Sequence, residues 1–356
     1  MFAPVFCCNF AGMKLHIFNP EHDIALAFGE ANFTSPRAGR QLRNDLGFLP
    51  AIWAEDGDCV VVDDKEQALS GLKCLEGNIA DVRLVTLEEL RALAGEEKID
   101  GIEPWGWDAA IRSQLLRHGI PHEMLPTDCQ INSIRELSNR RWAATHLDNK
   151  GVYCDSEEML GAVLADIPQC VLKAPWSSSG RGVRYKVDMA WARNVIRSQG
   201  GIMAEPYYNK VADFGMEFLA LSDGSIRYVG LSVFDTNNGA YTGNVIAEEE
   251  QKRELLVKYV PKEELDEARM HVMDCMRERL KGVYVGPFGV DMMIYRDGEG
   301  HNMLNHCVEL NLRRTMGHVA ITLAERMNLK DETKKDTPRM RIYYNEGKYR
   351  ISITEQ

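Results

Sequence analysis

From Lys14 to about Gly119, short apolar runs alternate with segments whose apolar positions recur at helical spacing. "KLHIFN" and "CVVVDD" read as strands. "SPRAGRQLRNDLG" predicts a helix with Ser35 as N-cap, Pro36 at its first position and Gly47 at its end. "TLEEL" opens another helix, with a capping box from Thr86 to Glu89. "IDGIEPWGW" predicts a strand running into a loop, and "DAAIRSQLLRHG" a helix closed by Gly119. Strands alternating with helices of this length predict a small parallel α/β lobe.

Residues 120 to about 165 read as mostly helical, around "INSIRELSNRRWAATHL". Strand patterns then dominate: "CVLKAP", "GVRYKV", "GIMAEPYY", "DFGMEFLAL" and "IRYVGLSVF". A single long amphipathic helix is expected from roughly Ala247 to Leu280. Two further strands, "GVDMMIY" and "NHCVELNL", flank the turn "RDGEGHN", which predicts an antiparallel pair. "KDETKKDT" over 330–337 reads as a charged linker, and "MRIYYNEGKYRISI" as a hairpin turning at Asn345–Gly347.

A chain of 356 residues is too long for one core and implies two or three lobes. The net charge of −11 argues against nonspecific nucleic-acid binding. Small anionic ligands stay open, since a local Arg/Lys cluster acts against an acidic background. Nine cysteines without a CxxC pair or a zinc-type spacing fit reduced thiols in a cytoplasmic protein. No apolar run approaches the ~20 residues of a membrane span. The opening "MFAPVFCCNFAG" lacks a basic n-region and is interrupted by Pro4, so residues 1–12 read as a disordered leader or an upstream start before Met13.

Three segments carry chemistry. In "VLKAPWSSSGRGV" a strand ends on Lys173, and the small-residue loop Ser177, Ser178, Ser179, Gly180, Arg181, Gly182 follows. Such a loop lets backbone N–H groups approach phosphate oxygens while the lysine supplies a point charge. A flexible hairpin loop beside a surface lysine fits the same residues, and the run is not a Walker A motif. In "MAEPYYNKVADFGMEF" Glu205 ends a strand at a proline-containing hinge and Asp213 opens the next. Hinge backbone of this kind pairs with a purine edge and a nearby carboxylate accepts from ribose hydroxyls; an ordinary hairpin connection explains it as well. The third segment is the "GVDMMIY"/"VELN" pair. Asp291 on one strand faces Glu309 and Asn311 on the next, a hard-oxygen set suited to Mg²⁺. Burying an Asp beside a Glu costs heavily without a cation, which favours the metal reading.

A strand lysine with a Ser/Gly loop, a Glu-led hinge, a long helix, an Asp strand and an E-x-N strand, in that order, resemble the ATP-grasp superfamily. The likeness covers roughly 125–330 and implies an α+β fold of two subdomains clasping ATP, preceded by a small parallel α/β (pre-ATP-grasp) lobe over 13–124; residues 331–356 lie beyond it as the linker and hairpin read from the pattern. It implies Lys173 on the α/β-phosphates, the Ser177–Gly182 loop closing over them, and Glu205 with Pro206, Tyr207 and Tyr208 around adenine. It further implies Asp213 at the ribose, one or two Mg²⁺ ions on Asp291, Glu309 and Asn311, and Arg313 stabilising charge on an acyl-phosphate. The family's Asp-Lys start is replaced by "SNRRWAATHL", so Arg140 or Arg141 stands in for the lysine; Arg141 is taken as the cofactor contact.

The implied activity is ATP- and Mg²⁺-dependent ligation of a small-molecule carboxylate to an amine. A kinase of the same fold or a non-catalytic nucleotide-binding module are the alternatives, without nucleic-acid or membrane partners and with a homodimer left open. Acceptor candidates are Asn19, Glu21, His22 and Asp23 in "FNPEHDIAL", and Glu103, Trp105 and Asp108 in "EPWGWD", both at strand ends. Turn chemistry explains these equally well. Arg314 and His318 would share a face, toward a substrate carboxylate or toward solvent, if a helix begins directly after Asn311.

Overall fold

The computed structural model describes residues 12–354 except 76, 97–98, 178–179, 181, 238–239 and 329–336. The expected leader, apart from Gly12, and the charged linker, apart from Thr337, lie outside the described residues.

Strands β1 (Met13–Ile17), β2 (Cys59–Val61), β3 (Arg83–Val85) and β4 (Ile99–Pro104) form a parallel sheet in the order β3-β2-β1-β4. Helices α1 (His22–Phe28), α2 (Arg37–Leu46), α3 (Lys65–Leu72) and α4 (Leu87–Glu96) link these strands, and α5 (Ala109–Arg117) follows the last. All three residues of β2 are buried, as expected for a parallel strand covered on both faces. The strand order reverses between β1 and β4, so their carboxyl ends flank a natural ligand crevice. The capping box at Thr86 and Glu89 forms through both backbone amides. Ser35 is not an N-cap: extended Pro36 takes that position, and the Ser35 hydroxyl lies one residue too early to reach the open amides of α2.

Helices α6 (Asp128–Leu137) and α7 (Arg140–His146) lead into a four-stranded antiparallel sheet, order β5-β8-β6-β7. Its strands are β5 (Val152–Cys154), β6 (Cys170–Lys173), β7 (Val183–Arg184) and β8 (Ile202–Pro206), with helices α8 (Glu157–Asp166) and α9 (Met189–Gln199) between them. The mostly helical reading of 120–165 therefore missed β5. Helix α9 went unanticipated, although Asp188 caps its start and Gly200 (φ 81°) its end.

The third sheet is antiparallel with seven strands, order β13-β12-β9-β10-β11-β14-β15. It holds β9 (Asn209–Ala220), β10 (Ile226–Asn237), β11 (Ala240–Val245), β12 (Gly286–Arg296), β13 (Asn302–Asn311), β14 (Arg339–Asn345) and β15 (Lys348–Thr354). The expected single helix is two, α10 (Glu249–Leu256) and α11 (Lys262–Leu280). Pro261, the N-cap of α11, disfavours helix at the residue before it and cannot continue an i→i−4 ladder. Helix α12 (Met316–Arg326) joins sheet and first lobe: Val319 and Leu323 share an apolar cluster with Phe48, Leu49 and Ile52 of the lobe and Met340 and Ile351 of the C-terminal hairpin.

Beneath β9 and β12, Phe218 stacks on Phe288 with ring centroids 5.1 Å apart. Both rings are fully buried, in one cluster with Leu265, Val272 and Met276 of α11. Phe218→Ala removes this stack and leaves a cavity, at a cost of about 3–5 kcal/mol. A thermal-denaturation midpoint equal to wild type would show that the ring carries no such weight.

Candidate active site

A cleft of about 610 Å³ opens between the four-stranded and seven-stranded sheets. Lys173, Gly180, Glu205, Pro206, Tyr207, Tyr208 and Asp213 line it together with Asp291 and Glu309, so most of the sequence-derived nucleotide set converges on one cavity. Lys173 ends β6 and Glu205 nears the end of neighbouring β8, which brings their buried side chains to 2.6 Å. Oε1 of Glu205 has no hydrogen-bond partner. Its carboxylate can therefore neutralise the lysine through one oxygen and accept from an incoming N–H with the other.

The hinge backbone is partly spent, because the Tyr207 amide donates to the Gln169 carbonyl at 2.8 Å. Tyr208 packs on Tyr295, centroids 4.5 Å apart, and burial pushes its phenol up to about 12, so it stays a hydrogen-bond donor. Asp213 accepts from Thr236 at 2.7 Å and pairs with Lys210.

The loop beyond Lys173 is held at both ends. The Ala174 amide donates to the Gly182 carbonyl at 2.8 Å, and Gly180 sits at φ 70°, the left-handed region. A Cβ on Gly182 would lie 2.3 Å from Ser177, so the turn closes only over glycine. Ser178 and Ser179 lie outside the described residues.

Arg140 clamps this loop. It donates to the Ala174 carbonyl at 2.5 Å and to the Ser177 hydroxyl at 2.9 Å, and reaches Glu309 at 2.6 Å. Arg141, the neighbour expected to contact the cofactor, instead lies over the Tyr153 ring at 4.9 Å and does not line the cleft. Adjacent residues in the first turn of α7 point about 100° apart, and Arg140 is the buried one.

Asp291 and Glu309 stand directly opposite in the β12–β13 register, as the turn between the strands predicted. Burial, then Glu309 and Glu217, push the Asp291 carboxyl up to about 8. That shift is the mark of negative charge short of a counter-ion. The Asn311 amide is differently employed from expectation: its nitrogen donates to Asp291 at 3.1 Å while its oxygen accepts from Arg313 at 2.9 Å. Among the described residues no group of three or more His, Cys, Asp or Glu side chains is gathered to hold a metal. The carboxylates facing each other there are Asp291 and Glu309.

Arg313 pairs with Asp23 of the first lobe through Nε and Nη2, the shortest contact being 2.8 Å. Burial raises Asp23, but the Arg313 charge and hydrogen bond together with His22 and Arg140 outweigh it and hold the carboxyl below the usual range. Arg314 turns the opposite way. Its guanidinium lies over Trp53 at 4.5 Å and bonds Glu103 at 3.3 Å, and burial pulls it down to about 10. The shared helical face expected for Arg314 and His318 does not form, because Thr315 caps α12 and leaves Arg314 outside the helix.

The other acceptor candidates divide. Asn19 bonds the Gly106 carbonyl at 2.8 Å, His22 meets Asp108 at 3.2 Å and Asp108 caps α5, so these three brace the crevice. Glu21 is buried against Arg43. Of the candidates, Asp23 and Trp105 line a second chamber adjoining the first, and Asn19 lines a separate small cavity.

No family model and no curated protein matches the sequence. Solved structures do match in fold. One is an N5-carboxyaminoimidazole synthetase from Staphylococcus aureus complexed with ADP, 12% identical over 94% of this chain and 83% of that one, with a TM-score of 0.52. Another is a biotin carboxylase–ATP complex from Campylobacter jejuni, 13% identical over 93% of this chain and 75% of that one, TM-score 0.52. The chain has the ATP-grasp fold. A third is the biotin carboxylase domain of the Hydrogenobacter thermophilus 2-oxoglutarate carboxylase with MgADP and bicarbonate, 11% identical over 93% of this chain and 74% of that one, TM-score 0.50. The parallel lobe precedes the two clasping sheets in chain order, as the ATP-grasp resemblance implied.

Because Asp23 and Arg313 come from different lobes, their pair bears on how the lobes meet. Asp23→Asn leaves the guanidinium largely buried without a carboxylate and costs about 3 kcal/mol. Combining it with Arg313→Met recovers part of that loss in a double-mutant cycle read by denaturation midpoint. Strictly additive losses would show that the two side chains are not coupled.

Proposed function

We propose that this protein is an ATP- and Mg²⁺-dependent ligase that joins a carboxylate to an amine. The observation that carries the reading is the meeting of Lys173, Arg140 and the glycine loop with the Asp291–Glu309 pair in one cleft. The nucleotide complexes of the fold neighbours support it.

On this reading the adenine N–H meets the free oxygen of Glu205, and Asp213 with Thr236 receives the ribose. Lys173 and Arg140 face the phosphates under the Ser177–Gly182 loop. The two carboxylates fit a hard divalent cation, since Asp291 is short of positive charge and both offer oxygen donors. When bound, Mg²⁺ supplies charge neutralisation for the phosphate oxygens. A carboxylate oxygen attacks the γ-phosphorus, the bond to the β-phosphate oxygen breaks, and ADP leaves. The amine nitrogen then forms the C–N bond as the acyl–phosphate C–O bond breaks, releasing phosphate and a proton. Arg313, bonded to Asn311 beside the cation site, faces the charge that gathers on the acyl-phosphate. Positioning and charge neutralisation carry the rate.

The test incubates the protein with ATP, Mg²⁺ and pooled carboxylic acids and amines while ADP and phosphate are followed. Both products should appear only when an acid and an amine are present together. Asp291→Asn and Glu309→Gln should each lower turnover at least a hundredfold, and Arg140→Ala should weaken ATP binding about tenfold more than Arg141→Ala, the order of magnitude of one lost charge-assisted contact. ADP with a phosphorylated acceptor points instead to a kinase, and ATP binding without ADP in any pool to a binding module.

A further inference from the structure

A second chamber of about 370 Å³ shares Gly180, Phe234, Thr236, Asp291 and Glu309 with the nucleotide cleft. Three parts of the chain build its walls. The first lobe supplies Leu42 and Trp105, the seven-stranded sheet Glu217 and Asn244, and the C-terminal hairpin Ile342 and Tyr349. The hairpin is seated there by β14 pairing with β11, and by the Tyr349 amide donating to Asp45 of α2 at 2.8 Å.

The polar end of the chamber is Glu217, 2% exposed. Its Oε2 has no hydrogen-bond partner. His318 Nδ1 lies 3.0 Å away and is shared with the Thr315 amide at 3.3 Å and the Thr315 hydroxyl at 3.1 Å, while Nε2 meets the Phe218 carbonyl at 3.1 Å. Two neighbouring groups are engaged with each other: Tyr241 donates to Asn244, whose nitrogen donates to the Ser232 hydroxyl at 2.7 Å. Two glycines set the carboxylate in place. A Cβ on Gly317 would sit 1.9 Å from Oε1, and one on Gly289 2.4 Å from Oε2. Beyond the shared His318 ring, a partner for Glu217 has to enter with the ligand.

Charge decides which ligand. Four carboxylates line the chamber: Arg313 answers Asp23 and Arg140 answers Glu309, while among the described residues no arginine or lysine pairs with Glu217 or Asp291. A second carboxylic acid is repelled there, whereas an ammonium group is attracted. The apolar remainder, Leu42, Trp105, Ile342 and Tyr349, fits an apolar or aromatic substituent. Resting on the ligase reading, we propose that this chamber binds the amine substrate as a primary amine carrying an apolar or aromatic group, with Glu217 receiving the amino group and the C-terminal hairpin selecting the substituent.

Calorimetric titration of the intact chain, without nucleotide, tests this with phenethylamine, 3-phenylpropionate and ethylamine. Phenethylamine should bind at least tenfold tighter than the other two. Glu217→Gln should abolish its advantage over 3-phenylpropionate, and Tyr349→Ala its advantage over ethylamine; the second variant keeps the test open if the first fails to fold. Phenylpropionate binding as tightly as phenethylamine overturns the proposal. So does a Glu217→Gln protein that folds, keeps its affinity for phenethylamine and loses affinity for Mg²⁺, which would assign Glu217 to the cation site. Because no ATP is present, absence of amine binding refutes this inference alone, and absence of ADP release refutes the ligase reading.

Discussion

Two carboxylates that face each other across adjacent strands set the conditions for the rest of the molecule. Asp291 and Glu309 cannot both carry charge in a largely buried setting unless positive groups come to them. Arg140 comes from α7 to Glu309 and brings the loop after Lys173 with it, since the same guanidinium holds Ala174 and Ser177. Asn311 bridges Asp291 to Arg313, and Arg313 continues to Asp23 in the first lobe. Two branches of hydrogen bonds, one from each carboxylate, thus tie the other two sheets' territories to this point.

The paired arginines after β13 show how a short extended link does two jobs. Residues 312–315 belong to neither strand nor helix, so Arg313 and Arg314 project to opposite sides. Arg313 serves the cavities. Arg314 enters the first lobe, where Glu103 also meets Lys14 at 2.9 Å and Trp53 covers the guanidinium. Its backbone amide donates to the Trp105 carbonyl at 2.8 Å, which fixes Trp105 as a chamber wall. A buried arginine is costly, and here the cost is offset by a carboxylate, an aromatic face and a main-chain bond together.

Much of this was legible from local pattern, and the misses have a common origin. The opposition of Asp291 and Glu309 follows from the two-residue strand period and a short turn, both visible in sequence. The order of lysine, glycine loop, hinge and E-x-N strand likewise carried the fold. Choosing between Arg140 and Arg141 depended on which side of α7 packs inward, and one helical step separates the answers. Pro261 was visible, but a charge-rich helical pattern on both sides masked its break. Thr315 as a cap, and with it the separate fates of Arg314 and His318, turned on where β13 ends. The hairpin at the C-terminus was legible as a hairpin, whereas its place at a cavity wall depends on pairing with β11, about a hundred residues earlier.

The two cavities share Asp291 and Glu309, and this has a consequence for how they would fill on the ligase reading. With neither nucleotide nor cation present, Arg313 answers Asp23, Arg140 answers Glu309, and burial pushes the Asp291 carboxyl up to about 8, so Glu217 is already the carboxylate that no arginine answers. A cation and nucleotide phosphates at the shared wall neutralise Asp291 and Glu309, and Arg313 already answers Asp23. The one carboxylate then left to draw the amine is Glu217, held by glycines that allow it little room to move. Neutralisation at the cleft would therefore leave the chamber's attraction at this one residue, and the amine would be registered against the activated carboxyl by charge as well as by shape.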